Sequence, residues 1–162
     1  MDWTTVKSGD QIEPAVIGHR VWRYRLGPPL VLLSFCLGDS RTWPHDEALE
    51  SDKEPNMDGV GFNRTAHGVH AFKTLDDLRR QFNDLPDLLR YRAIYEGAPD
   101  DLLAARYDGV VRGTVALWGT CIDHERGYRA QYARPASFDE AHGERADEAI
   151  DRLRRLFGVQ SG

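Results

Sequence analysis

The sequence predicts an α+β fold with a mainly antiparallel sheet, either open or closed into a small barrel, and with helices packed on it. Two segments, at 18–37 and 113–135, alternate apolar and polar residues with the period of a strand and contain turn residues. Two others, which begin at Thr74 and Arg145, repeat apolar residues at helical spacing. Strands and helices thus alternate irregularly, as is typical of α+β proteins.

Composition indicates a soluble protein. A chain of 162 residues, 41% hydrophobic and 29% charged, is expected to form one domain over 1–162. Its net charge of −5 argues against binding nucleic acid or anionic membranes through a general basic field. Cys36 and Cys121 form no C-x-x-C pair, which predicts no zinc ribbon or redox motif. The N-terminus lacks the features of a signal peptide, so we expect a cytoplasmic protein with no membrane partner.

The N-terminal part is predicted to contain a hairpin. Residues 1–17 are interpreted as an irregular lead-in. Trp22 and Tyr24 then share one face of an alternating strand, a Gly-Pro-Pro sequence turns the chain at 27–29, and 30–37 returns as a more buried strand. The hairpin therefore brings two aromatic side chains to one face.

A long surface loop and a capped helix are predicted next. Residues 38–61 are polar and rich in Asp, Glu, Pro and Gly, and Trp43 is expected to anchor this loop. A short strand at 68–72 follows, and then Thr74 and Asp77 have the spacing of a capping box. A helix is therefore expected to begin at Thr74.

Further helices are predicted after the first. Pro86 and Pro99 are each typical of a helix start within 83–108. The last helix spans 145–157 and is followed by Gly158, which is placed as its C-terminal cap. The predicted sheet is thus covered by helices from the middle and the end of the chain.

The main hairpin at 113–135 gathers the most varied chemistry. Its turn, at 124–127, contains a glycine that is free to adopt positive φ, and Pro135 is expected to stop the strand pairing. Leu117 and Trp118 point to opposite faces of its first strand. Both are expected to be buried if the sheet is covered on both sides.

Five segments stand out in this order: GHRVW at 18–22, LLS at 32–34, TWP at 42–44, GVHAFKTLDDL at 68–78 and GTVALWGTCIDHERGYRAQYARP at 113–135. Together they resemble a family of small uncharacterised actinobacterial and phage proteins with a G-x-V-x-L-W-G strand followed by an H-E-x-G-x-R-A hairpin. In that family the residue before the glycine of the short strand is often Cys, in a Cys-rich context, whereas His67 stands there in this chain. The resemblance supplies an order of segments and no activity.

Histidines supply the candidate metal site. Imidazole and carboxylate ligands suit zinc and other transition ions, and the candidate ligands are His67, His70 and His124, with Glu125 beside them. His67 and His70 lie three positions apart, on opposite faces of an ideal strand, and converge only if the chain turns at Gly68. Ordinary histidines are the alternative, and we expect no metal and no cofactor.

A catalytic alternative rests on His124 and Glu125, which have the chemistry of an acid–base pair. A hairpin tip is also highly solvated, and charged residues there commonly have no further role. Cys121 and His124 lie three apart on a strand and so point to opposite faces, which argues against covalent catalysis. The sequence contains no P-loop, G-x-G-x-x-G, H-E-x-x-H or G-x-S-x-G motif.

The candidate ligand-binding residues combine guanidinium groups with aromatic rings, and they are Trp22, Arg126, Tyr128, Tyr132 and Arg134. Such a surface suits recognition of phosphate or carboxylate together with base stacking. Strand alternation places Arg134 on the face of the two tyrosines and Arg129 on the other face. The alternative is that these residues only cover a half-exposed sheet.

These observations favour a small binding or regulatory module that presents Arg/aromatic hairpins to an anionic small molecule, a nucleic acid or a protein. Two alternatives stay open. One is a small metal-dependent or acid–base hydrolase that uses His124 and Glu125. The other is a structural subunit of a homo-oligomer, with Trp118 and the tyrosine face as its contact surface.

Overall fold

The computed structural model describes residues 5–8, 11–34, 42–51, 55, 68–82 and 107–159. Its elements are β1 (Thr5–Ser8), β2 (Gln11–Pro14), β3 (Val16–Arg25), β4 (Val31–Ser34), β5 (Leu49–Glu50), β6 (Val69–Phe72), α1 (Leu75–Phe82), β7 (Gly109–Asp123), β8 (Gly127–Gly143) and α2 (Ala146–Phe157). The predicted α+β fold, with a mid-chain helix and a C-terminal helix, is confirmed. Closure of the sheet into a barrel stays a prediction.

Antiparallel pairing builds the sheets. The larger sheet has the order β4-β3-β6-β8-β5, and β7 pairs with β3 and β8. β3 and β4 form the predicted N-terminal hairpin, β6 pairs with β3 and β8, and β5 pairs with β8, all antiparallel. β1 and β2 form a separate two-stranded sheet. Neither helix in the described part of the chain is long and apolar enough to cross a membrane.

The chain divides into two compact units. The first comprises Met1–Arg20, Glu47–Leu78 and Thr114–Ala136, and the second comprises Val21–Asp46, Arg79–Gly113 and Ser137–Gly162. The strands β3, β7 and β8 contribute residues to both units.

The second unit has an aromatic core around Trp22, which is 0% exposed. The Trp22 ring meets Trp43 edge to face at 5.5 Å and Phe138 at 5.4 Å, and Phe138 in turn meets Phe157 of α2 at 5.6 Å. The indole Nε1 of Trp43 donates a hydrogen bond to Ser34 Oγ at 2.9 Å, which pairs the polar atom of a buried ring. Trp43 is therefore the predicted anchor, and α2 packs on β8 as expected.

Tyr24 joins distant parts of the second unit. Its hydroxyl donates a hydrogen bond to the Glu144 carbonyl oxygen at 2.7 Å. Two glycines make room for this ring, because a Cβ on Gly109 would lie 2.3 Å from the Tyr24 hydroxyl oxygen and one on Gly143 would lie 3.1 Å from it. The N-terminal hairpin is thus fixed to the C-terminal end of β8.

In the first unit, Leu117 is 0% exposed and Trp118 is 5% exposed. Because adjacent residues of a strand point to opposite faces, burial of both means that β7 is covered on both sides here. Burial of both residues is what the sequence analysis expected for a sheet that is covered on both sides.

Two sequence expectations about strands were wrong. The lead-in at 1–17 is not irregular, since β1 and β2 pair with Ser8 opposite Gln11 and β3 begins at Val16. Only Gly9 and Asp10 separate the paired residues, a composition typical of tight hairpins. Pro135 does not end β8, which continues to Gly143. The described pairings of β8 with β6 and β5 stop at residue 133, so the missing N–H of proline costs no bond to either strand.

The helix signals were read correctly where the structure describes them. Asp77 N donates to Thr74 Oγ1 at 3.0 Å at the start of α1, and Gly158 has a left-handed φ of 68° after α2. The helices predicted within 83–108 fall almost wholly outside the described residues, as does much of the loop 38–61. Residues 42–51 of that loop are described and include β5.

Candidate functional site

The turn between β7 and β8 places His124 beside β6. The backbone amide of His124 donates a hydrogen bond to the Gly127 carbonyl oxygen at 3.0 Å. The amide of Lys73, just after β6, donates to the Arg126 carbonyl oxygen at 2.9 Å. The hairpin tip is therefore held both by its own backbone and by the backbone that follows β6, which keeps the turn beside that strand.

Gly127 is required at this tip for its small size. The sequence analysis noted that this glycine is free to adopt a positive φ, but Gly127 does not use that freedom. A Cβ on Gly127 would instead lie 2.4 Å from the Ala71 carbonyl oxygen, 3.0 Å from His70 Nε2 and 3.1 Å from His124 Cε1. The absence of a side chain thus lets β6 and the turn approach each other closely.

This close approach stacks two imidazoles. The ring centroids of His70 and His124 are 5.3 Å apart, and the rings are inclined by only 18°. Phe72 meets the His70 ring edge to face at 4.8 Å. Two members of the histidine set that was named from the sequence as candidate metal ligands are therefore neighbours, while the third histidine, His67, lies outside the described residues.

Cationic groups surround the imidazole pair. Arg129 lies directly opposite His70 in the β6–β8 pairing, and it is 4% exposed. Arg20 Nη1 donates a hydrogen bond to the His70 carbonyl oxygen at 2.5 Å. Lys73 forms an ion pair with Asp123, and its Nζ lies 5.5 Å from the centroid of the Tyr128 ring. One carboxylate and three cations thus lie around the two rings.

These surroundings keep both imidazoles neutral. Burial first, and then Arg129, Arg20 and His124, lower the pKa of His70 from 6.5 to about 3. Burial, Arg129 and Lys73 also lower the pKa of His124, and the nearby Asp123 only partly opposes them. Burial lowers the pKa of the Arg129 guanidinium, which nevertheless stays charged because arginine does not deprotonate in proteins.

The same charges work against a metal cation. Among the residues that the structure describes, no three His, Cys, Asp or Glu side chains are grouped as metal ligands. Arg20, Lys73 and Arg129 would repel a divalent ion at the imidazole pair. Desolvation and then the Asp123 carboxylate raise the pKa of the Cys121 thiol, which disfavours the thiolate that a nucleophile needs.

The tyrosine face of β8 is largely used in packing. Tyr132 stacks on Trp118 with centroids 5.8 Å apart and an angle of 25°. Small residues complete this cluster: Ala15, Ala48, Ala116 and Ala136. Because Trp118 is 5% exposed and packed within its own chain, it offers little surface for contact with a second subunit.

The other predicted site residues are spread out. Trp22 belongs to the core of the second unit, so its ring has no exposed face on which a ligand could stack. Glu125 and Arg126 are exposed in the turn, and Tyr128 and Arg134 are half-buried. The geometry brings together His70, His124 and Arg129, with Arg20 and Lys73 beside them.

Arg129, Arg20 and Lys73 were not among the site residues predicted from the sequence. Strand alternation assigned Arg129 to the face away from the tyrosines. That face is shared with His70 only because of a pairing between β6 and β8, which are far apart in the chain. Arg129 belongs to the H-E-x-G-x-R-A segment. Its spacing from His124 in that segment is the sequence signal that could have identified it as a site residue.

Comparisons of the chain with protein-family models, with characterised proteins and with solved structures gave no match.

Proposed function

We propose that this protein is a binding module for an anionic ligand and that the site lies at the tip of the β7–β8 hairpin, on the face that carries Arg129, His70 and His124. The observation that carries the proposal is the burial of the charged Arg129 directly opposite His70. A guanidinium stays charged in proteins and donates strong hydrogen bonds to phosphate and carboxylate oxygens.

The neighbouring groups support an anion as the ligand. After burial, which is the largest cause, Arg129 and Arg20 also lower the pKa of His70, as expected of cations near the ring. Lys73 acts on His124 in the same way. A planar guanidinium suits the two oxygens of a phosphate or carboxylate group, and stacked imidazoles supply flat surfaces beside it. The proposal keeps the cytoplasmic location expected from the sequence.

This proposal moves the binding face that the sequence favoured. Arg134 and Tyr132 lie on the opposite face of β8, where the ring of Tyr132 already stacks on Trp118. Arg129, in contrast, lies beside two imidazoles. The module still binds through the predicted hairpin, but through its other side.

The test is an NMR titration of the whole protein with inorganic phosphate, at constant ionic strength maintained with chloride. We expect saturable shifts at His70, His124 and Arg129, and none at Tyr132 or Arg134. A parallel titration with a single-stranded oligonucleotide separates a nucleic acid from a small anion as the source of the phosphate. Shifts confined to the tyrosine face, or none with either probe, would contradict the proposal.

A second candidate is an acid–base hydrolase that uses His124 with Glu125. It is favoured by the lowered pKa of His124, because a neutral imidazole is the form that acts as a general base. Nearly parallel stacking keeps His70 from facing His124 across a substrate, so His70 does not supply the opposing acid. Hydrolysis of p-nitrophenyl phosphate that is lost in His124→Asn supports this candidate, and its absence in the wild type contradicts it.

A further inference from the structure

We propose that the anion bound at this site is the phosphate group of a free nucleotide, and that the base of the nucleotide stacks on the outer face of the His124 ring. The inference rests on the proposed anion-binding function and names the class of ligand. It requires an aromatic surface that a ligand can reach and a guanidinium close to that surface.

Three aromatic rings of the first unit form a column that leads to the hairpin tip. Phe72 meets the His70 ring edge to face at 4.8 Å, and His70 stacks on His124 with centroids 5.3 Å apart and an angle of 18°. Phe72 is 9% exposed, whereas His124 lies in the turn and is half-buried. The column therefore runs from the interior towards His124, which is its end nearest to solvent.

The His124 ring can accept a further ring on one of its two faces. Its contact with His70 occupies the other face, because the two rings are nearly parallel. Among the residues that the structure describes, no other aromatic ring contacts His124. Nucleobases stack on aromatic side chains, histidine included, and every base offers a π face. A base on His124 therefore extends the column by one ring.

Arg129 is positioned for the phosphate of the same ligand. It lies opposite His70 in the β6–β8 pairing, which places their Cβ atoms about 4.5–5.5 Å apart. His124 stacks on that same His70 ring. In a nucleotide a single sugar joins the base to the phosphate, so a base on His124 leaves the phosphate near Arg129. The planar guanidinium then suits two of the phosphate oxygens.

The charges favour a free nucleotide over a nucleic acid. The net charge of −5 does not supply the basic field with which proteins bind many phosphates at once. At the tip itself, the exposed Glu125 and Arg126 carry opposite charges, and Lys73 is paired with Asp123. These groups add no net positive charge for the further phosphates of a strand.

Two probes that share a phosphate group separate the base from the anion. Adenosine monophosphate (AMP) carries a base, whereas the monophosphate of ribose lacks one. Each is titrated into the whole protein at constant ionic strength, and binding is followed by NMR. We expect AMP to bind at least about tenfold more tightly, as one stacked base contributes. The ring current of the base should also shift the ring protons of His124 upfield, which ribose phosphate cannot do.

A short oligoadenylate is the third probe and tests the source of the nucleotide. We expect it to bind no more tightly, per nucleotide, than AMP does. Tighter binding of the oligoadenylate would assign the site to a nucleic acid and overturn the proposal of a free nucleotide.

The variants His124→Leu and His124→Phe test the stacking surface, because leucine removes the aromatic face and phenylalanine retains it. We expect the preference for AMP over ribose phosphate to disappear in His124→Leu and to persist in His124→Phe. His45→Leu is the matched control at an exposed histidine, and it should leave the preference unchanged. If a variant does not fold, the ring-proton shifts of His124 in the wild type decide, and unshifted signals on AMP binding overturn the inference.

The outcomes separate this inference from the proposed function. Equal affinity for AMP and ribose phosphate, or a preference for AMP that persists in His124→Leu, overturns the stacking of a base on His124 and leaves the anion site intact. Absence of binding by both probes contradicts the proposed function as well.

Discussion

His70 of β6 and Arg129 of β8 lie directly opposite each other in an antiparallel pair, so an imidazole and a guanidinium share one face of the sheet. Opposite residues in such a pair have Cβ atoms about 4.5–5.5 Å apart. Backbone pairing, and not a flexible side chain, therefore keeps the cation beside the imidazole. This relationship makes the site sensitive to substitutions on either strand.

The two faces of β8 allow a matched comparison of arginines. We expect Arg129→Ala to weaken phosphate binding by ~1.5–3 kcal/mol, the range for a hydrogen bond to a charged group. We expect Arg134→Ala, on the tyrosine face, to change the free energy of phosphate binding by less than ~0.5 kcal/mol. The measurement is an NMR titration with phosphate.

Because Arg129 is buried, Arg129→Lys is the second variant if the alanine variant does not fold. It keeps the charge but lacks the planar fork, and we expect it to recover only part of the lost affinity. A larger loss at Arg134 than at Arg129 would restore the surface favoured by the sequence.

The lowered pKa of His70 predicts how stability depends on pH. In the folded state its pKa is about 3, compared with 6.5 normally, so folding favours the neutral ring. The contribution is fully present above pH 6.5 and is lost as the pH falls from 6.5 towards 3. Between pH 7 and about pH 5 the loss is on the order of 2 kcal/mol.

The variant His70→Asn removes this titration. We expect urea unfolding in buffers free of phosphate and sulfate to show a smaller decrease in unfolding free energy from pH 7 to pH 5 than in the wild type. His45→Asn serves as the control. An unchanged decrease in His70→Asn would show that His70 titrates normally in the folded protein.

Two glycine variants distinguish close packing from backbone conformation. Gly127→Ala introduces a Cβ against the Ala71 carbonyl oxygen, and we expect it to destabilise the fold by ~1–3 kcal/mol and to separate the imidazoles. A Cβ on Gly158 would meet no atom within 4 Å, but Gly158 has a left-handed φ of 68°. We expect Gly158→Ala to destabilise the fold by ~1–2 kcal/mol.

Urea unfolding measures both losses, and histidine NMR shifts report the site. The shifts of His70 and His124 should move in Gly127→Ala and stay fixed in Gly158→Ala. Unmoved shifts in Gly127→Ala would mean that the close approach is not needed for the stacking.

The core of the first unit predicts a large effect at Leu117. Its side chain is 0% exposed, so Leu117→Ala removes buried methyl groups and leaves a cavity. We expect the unfolding free energy to fall by ~2–5 kcal/mol. Ile17→Ala is the control at a position that is 41% exposed, where less than ~0.5 kcal/mol is expected. Similar losses at both positions would contradict the assigned burial.

Local patterns predicted most of the elements. The alternation around Trp22 predicted the β3–β4 hairpin, the Thr74–Asp77 spacing predicted the start of α1, and Gly158 predicted the end of α2. Each of these signals acts within a few residues. The wrong expectation that Pro135 ends β8 also has a physical reason. Whether a proline ends a strand depends on which neighbour would accept its hydrogen bond, and this information lies elsewhere in the chain.

The candidate site was only partly predictable. His70 and His124 were named from the sequence because imidazoles carry chemistry. Their stacking depends on the β6–β8 register and on the close approach at Gly127, which no spacing within one segment encodes. For the same reason strand alternation assigned Arg129 to one face of β8 but could not identify His70 as the residue opposite it.

The hydrogen bond from Tyr24 to Glu144 has a consequence for synthesis on the ribosome. These residues are 120 positions apart, and Trp22 packs against Phe138 across nearly the same interval. While the first half of the chain emerges, the N-terminal hairpin exists without the residues that bury its aromatic rings. Contacts this distant form slowly, and exposed apolar strands invite association with other chains. The second unit can therefore be completed only after β8 has been translated.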